Sequence, residues 1–264
     1  MKYNITGLDR ELTKNFNSLE SKHLKETLKV KIAEQEAMLD LFNQSITHCN
    51  QQVGFCTNKI IEENDTLKKQ EYEAQKVIFE DNKLIWNISG FITLISIDIK
   101  TIQTGMYFAE TEWHKRFYAR QVCTIMYESS KDIFELLGKG FKNLITKRID
   151  ITSFDNELKD IRLRLNQFQN ENLDYLCTVR NNTSAHKDKD VLKQLEVISD
   201  INWSNTIQIT MKFEGIINDL GAFLQKLINA GLTNLKDSPL GQKKSNLDIN
   251  RIKTRIKFLV GYDK

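Results

Sequence analysis

Proline occurs once and glycine eleven times in 264 residues. That scarcity constrains the fold more than any motif does. Proline fixes φ and glycine supplies the positive φ that tight turns use, so this chain has few places to turn sharply. Long helices are the expected outcome. Hydrophobic spacing agrees: Leu24, Leu28, Ile32, Leu39, Phe42, Ile46, Cys49 and Val53 recur at threes, fours or their sums, close to a coiled-coil seam. Gly54 and Thr57-Asn58 offer a break, and a strongly charged second helix follows to about Asn82. Two helices joined in this way predict an antiparallel hairpin arm.

Ile88, Ile92, Ile95, Ile99, Ile102, Met106, Ala109 and Trp113 keep a four-three rhythm that predicts one long helix across residues 88–127. The competing strand signal is the short alternation Ile95, Ile97, Ile99, which is weaker by count. Gly138-Lys139-Gly140 is expected to end that helix through a left-handed cap, with residues 141–148 as a basic connector. A further stripe runs through Phe154, Leu158, Ile161, Leu165, Phe168, Leu176 and Val179. A short helix near Val191–Ile198 and a last long one containing Ile216, Leu220, Phe223 and Leu227 complete the pattern. The fold class expected is all-α: an elongated bundle of long helices with an N-terminal helical hairpin or coiled-coil arm. The boundaries expected are an arm over 1–83, a bundle over 84–231 and a polar tail or short helix over 232–264.

Composition narrows the class further. Apolar content of 40% with 28% charged residues is too hydrophobic for a disordered chain. A net charge of +3 permits a nucleic-acid partner without requiring one. Cys49, Cys56, Cys123 and Cys177 lack metal-ligand spacing, which predicts reduced core thiols, no metal and no cofactor. The N-terminus has no apolar signal core. The most apolar window, Leu84–Ile99, is interrupted by Asn87 and Asp98 and is too short to span a bilayer. A cytoplasmic protein without a membrane partner is expected.

One stretch concentrates chemistry: Tyr175-Leu-Cys-Thr-Val-Arg-Asn-Asn-Thr-Ser-Ala-His-Lys-Asp188. Arg180 is a permanent cation with a planar fork of donors suited to phosphate, and His186 titrates near neutrality. On one unbroken helix the two would stand about 120° and roughly 9 Å apart, a poor grip on a single phosphate. Asn181, Asn182, Thr183 and Ser184 prefer caps and turns, so a break here is expected to bring the two side chains together.

Arg180, a polar residue directly after it, and His186 within half a dozen positions resemble the signature of the HEPN superfamily. The likeness extends more loosely over residues 110–230. That resemblance implies an all-helical protein, often a metal-independent RNase of toxin–antitoxin, abortive-infection or other bacterial defence systems. It also implies paired motifs facing each other in a homodimer cleft. The chemistry is consistent with this. Cleaving RNA at its 2′-hydroxyl needs a base, an acid and positive charge on the pentacovalent phosphate. His186 would serve as base or acid, Arg180 would stabilise the phosphate, and Asn181 would orient the substrate or the imidazole. One copy supplies half of a two-proton mechanism, and a two-fold dimer supplies the other half. A protein antitoxin or a sensor partner is a further expectation. The alternative is a catalytically silent helical module that binds a protein, a nucleotide or RNA, with Arg180 and His186 merely capping helices or pairing with carboxylates.

A second segment, Glu110–Gln121, interleaves aromatics with bases. Arg116 and Arg120 share a helix face that Trp113, Phe117 and Tyr118 flank. Arg116, Arg120 and Tyr118 are therefore candidate RNA contacts, with cations on phosphates and a ring against a base. The other possibility is that the aromatics are core and the bases are solvated or paired with Glu110 and Glu112.

Overall fold

The computed structural model describes residues 3–16, 20–148, 154–183 and 189–236. Among these there are eight helices and no strand, so the protein is an all-α helical bundle. The helices are α1 (Gly7–Phe16), α2 (Glu20–Glu62), α3 (Thr66–Tyr107), α4 (Glu112–Leu136), α5 (Lys139–Arg148), α6 (Asp155–Thr183), α7 (Val191–Asp200) and α8 (Trp203–Lys236). Two compact units interleave along the chain. One comprises Met1–Ile32, Ile95–Gly140 and Ser153–Asp219; the other comprises Ala33–Leu94, Phe141–Thr152 and Leu220–Lys264. Neither 83/84 nor 231/232 is a boundary between them.

In the second unit α2 and α3 form the antiparallel hairpin that the periodicity predicts. Phe42 packs on Trp86, His48 on Phe79 and Phe55 on Tyr72, so partners descend along α3 as they ascend along α2. The turn, however, is not at Gly54. That glycine stays inside α2, because one glycine in a 43-residue helix costs only about 1 kcal/mol. The chain reverses at residues 63–65, where the Glu63 carboxylate accepts from Asn64 N and Asp65 N and the Asp65 carboxylate accepts from Leu67 N. These side chains satisfy amides that the helix start leaves open. By length and composition α3 is apolar enough to cross a bilayer, and half of its most apolar window is buried within the protein.

The expected long helix over 88–127 is two helices. α3 ends at Tyr107, and Thr111 caps α4 by accepting from His114 N. The four-three rhythm hides this break because Ala109 and Trp113 happen to keep step across it. At the far end of α4 the cap is Leu137, with φ −79°, so no left-handed glycine is used. Gly138 is needed for a different reason: a Cβ there would stand 2.8 Å from the Glu135 carbonyl oxygen. The connector expected after it is helical, as α5.

In the first unit α6 lies between two antiparallel neighbours. Toward α4 the contacts are Thr183 with Arg120, Arg180 with Glu128, Gln169 with Ser130 and Arg162 with Leu137. Toward α8 they are Tyr175 with Thr206, Phe168 with Phe213, and Arg164 with Asp219. Leu158, Ile161, Leu165, Phe168, Leu176 and Val179 of α6 are buried, as its periodicity predicts.

The N-terminal segment closes this unit at one end. Asp9 and Thr6 exchange bonds in a capping arrangement: Thr6 N and Oγ1 donate to the carboxylate, and Asp9 N donates to Thr6 Oγ1. The other oxygen of the fully buried Asp9 accepts from Ser204 N at 3.2 Å, in the first turn of α8. One carboxylate therefore serves the starts of two helices, where the peptide dipoles favour negative charge.

These contacts give three stability predictions. Replacing Gly54 by Ala, where nothing lies within 4 Å of the new Cβ, is expected to stabilise the protein by about 0.5–1 kcal/mol in urea unfolding. Gly105→Ala should instead destabilise it by about 1–3 kcal/mol, because its Cβ would sit 2.5 Å from the Tyr118 ring. For Asp9→Ala the expected loss is about 1–3 kcal/mol, since two part-buried donors of Thr6 and the buried Ser204 amide lose their acceptor.

Candidate functional site

Arg180 and Asn181 are neighbours in the last full turn of α6. The helix runs on through Asn181 and Asn182 and ends at Thr183, within the stretch 181–184 where a break is expected. Its polar residues bond backward along the helix instead of competing with it. Asn182 Nδ2 donates to the Thr178 carbonyl at 2.8 Å, and Thr183 Oγ1 donates to the Val179 carbonyl at 2.6 Å. This i−4 bonding lets side chains with a preference for turns remain helical. His186, together with Ser184, Ala185, Lys187 and Asp188, lies outside the described residues. The next helix, α7, is capped by Asp190, whose carboxylate accepts from Leu192 N at 2.9 Å and Lys193 N at 3.3 Å. The starting amides of α7 are thereby used within the protein.

Arg180 is held in place from α4. Its Nε donates to Glu128 Oε1, Nη2 pairs with the same oxygen, and Nη1 donates to Asn181 Oδ1 at 2.8 Å. The guanidinium lies over the Tyr127 ring, 5.1 Å from its centroid. The Arg180 side chain keeps 20% of its surface exposed and Glu128 keeps 46%, so the pair sits at the rim of the α4–α6 contact. Three of the five N–H groups of Arg180 have partners among the described residues, which orients the fork and leaves part of it toward solvent. Asn181 in turn donates to Cys177 Sγ at 3.2 Å, and that thiol faces the Tyr127 hydroxyl at 3.7 Å.

Behind this rim Tyr175, Thr206 and Cys123 form a buried polar group. The Tyr175 and Thr206 hydroxyls are 3.2 Å apart, and both bond the Cys123 thiol. Burial pushes that thiol up to about 12 and raises the Tyr175 phenol above its ordinary value. Cys123 is consequently a core thiol and not a nucleophile.

The bases of residues 112–120 are buried while Trp113 and Phe117 are open, though Lys115 and Arg116 pair with Glu112 as the second reading of the sequence allows. Arg116 is wholly buried: it pairs with Glu112, donates Nη2 to the Asn4 carbonyl at 2.8 Å and stacks on Tyr3. Lys115 donates to Thr13 Oγ1 and lies over the Trp203 ring. Arg120 is 7% exposed, donates Nη1 to the Thr183 carbonyl at 3.4 Å and lies over the Trp113 and Phe117 rings. Burial lowers its pKa from the usual guanidinium value. Tyr118 is packed against Gly105. Of the three candidate RNA contacts, then, two are guanidinium groups turned inward and one is a ring wedged between helices.

Sequence reasoning did not find Glu128 or Tyr127. They lie 52 and 53 positions before Arg180 in an otherwise ordinary amphipathic helix, and spacing carries no record of how α4 and α6 are registered. Among the described residues, no three His, Cys, Asp or Glu side chains are grouped to hold a metal ion. Compared with known proteins, the chain matches no family model, and neither a curated protein nor a solved structure is significantly similar to it.

The buried thiol gives a pH prediction. A thiol kept protonated by folding contributes fully below its ordinary pKa of 9.0, and the contribution is lost as pH rises through about 12. Stability measured by urea unfolding should fall over that interval, and the fall should be shallower in Cys123→Ala. An equal slope in both proteins would remove Cys123 as its source.

Proposed function

We propose that this chain is a metal-independent endoribonuclease of HEPN type, acting in the cytoplasm in bacterial defence or as a toxin. His186 exchanges the protons, Arg180 stabilises the scissile phosphate, and Asn181 orients the reacting groups. In the reaction the 2′-hydroxyl loses its proton to a base and attacks phosphorus. The P–O5′ bond then breaks, and the leaving oxygen takes a proton from an acid. A second copy of the chain across a two-fold axis supplies the second histidine. A protein antitoxin or sensor restrains the activity in the cell.

The observation that carries this reading is the state of Arg180. A guanidinium whose Nε edge is fixed by Glu128 and whose plane is fixed by Tyr127, with the remainder part-exposed, is pre-oriented for an anion. The same ion pair favours a second reading, a catalytically silent helical module, because Glu128 also neutralises the cation. In that case Arg180 is a structural brace.

The deciding measurement is cleavage of a labelled single-stranded RNA by purified protein in EDTA, beside growth on induced expression. The wild type should cut and leave 2′,3′-cyclic phosphate ends. A 2′-deoxy nucleotide at the cut position should block it. His186→Ala should lower the rate at least about 100-fold and Arg180→Ala about 100- to 1000-fold. Thermal unfolding of each variant separates lost chemistry from lost fold. Cleavage at wild-type rate in both folded variants would reject the site, and no cleavage by any of them would leave the silent module.

A further inference from the structure

We infer that Trp113 and Phe117 form a stacking platform for the unpaired bases of single-stranded RNA, with Arg120 beneath them as the charge that attracts the strand. This rests on the RNA-directed reading above and gives its substrate a place to bind.

The two rings are 41% and 42% exposed and stand four residues apart on α4, hence on one helix face. The other aromatics nearby are occupied. Tyr118 fills the space over Gly105, Tyr3 covers Arg116, and Trp203 is buried beneath Lys115. Of these rings, Trp113 and Phe117 are left facing water while resting on a cation. The Arg120 carbon Cζ is 5.5 Å from one ring centroid and 5.6 Å from the other.

Charge selects the occupant. Arg120 is buried, its Nε has no hydrogen-bond partner, and it pairs with no carboxylate among the described residues. Within residues 112–120, Lys115, Arg116 and Arg120 face one carboxylate, Glu112. Uncompensated positive charge under an open aromatic surface attracts a polyanion. Flat bases stack on such rings without regard to sequence, whereas bases inside a duplex are already stacked on one another. An apolar protein surface would instead bury Arg120 more deeply with nothing to neutralise it. The position is also apt, because Arg120 donates to Thr183, in the same closing turn of α6 that carries Arg180 and Asn181.

The test is binding of a fluorescein-labelled oligouridine to the full chain carrying His186→Ala, so that turnover does not interfere, read by anisotropy. Trp113→Ala and Phe117→Ala should each weaken binding by about 5- to 50-fold, while Trp113→Tyr should retain most of it. Leu163→Ala, at another exposed apolar position (66%), should leave affinity unchanged. A duplex of the same length should bind more weakly than the single strand. Unchanged affinity in both folded ring variants overturns the platform, and so does a loss of self-association in sedimentation with RNA binding intact. Ring-dependent binding by a wild type that never cuts supports the platform and rejects the RNase. Cleavage that survives both ring substitutions at full affinity does the reverse.

Discussion

The register of α6 against its two neighbours is the constraint on which the first unit depends. Both contacts are antiparallel, and both are fixed by one buried stripe running from Leu158 to Val179. The polar contacts along the rims report that register more than they create it. Arg164 with Asp219 and Lys212 with Glu171 are largely exposed pairs, worth at most about 1 kcal/mol each. Burial of six apolar side chains is worth several times that. A slip of one helical turn, about 5.4 Å, would carry Arg180 away from Glu128 and Thr183 away from Arg120 together. The orientation of the candidate site is thus a consequence of core packing along the whole of α6.

Burying Lys115, Arg116 and Arg120 at the start of α4 is costly, and the structure offsets that cost differently for each. Arg116 has a carboxylate, a carbonyl and an aromatic face. Lys115 has a hydroxyl, a share of Glu112 and the Trp203 ring. Among the described residues Arg120 has only a helix C-terminal carbonyl and two rings. Dipole and cation–π attraction are each worth on the order of 1 kcal/mol, less than a well-made buried ion pair. Arg120 is the least compensated of the three, and it is the one beside the closing turn of α6.

Helix type and much of the layout were legible in the sequence because periodicity encodes which face is buried. The stripe of α6 and the hairpin of α2 and α3 are examples. What escaped was whatever depends on partners far along the chain. Gly54 looks like a break locally, but the helix on both sides of it is long enough to absorb its cost. Residues 108–111 look helical because apolar spacing survives across a cap that one threonine makes. Bases near aromatics suggest a solvated or RNA-facing surface, yet Asn4, Tyr3 and Thr13, more than 100 positions away, draw them inward. Arg180 was visible as a candidate from its own neighbours, whereas Glu128, which orients it, was not.

The double role of Asp9 has a consequence for the order in which this protein takes shape. Asp9 and Ser204 are 195 residues apart, so the amide that the carboxylate serves leaves the ribosome long after Asp9 does. Until then α1 has a capped start and its contacts with α3 and α4 but none with α8, and Lys115 lacks the Trp203 ring that covers it. The first unit therefore closes late, when nearly the whole chain has been synthesised. The hairpin of α2 and α3 is different: its partners are close in sequence and complete before α4 begins. Synthesis from the N-terminus yields the arm first and the site last.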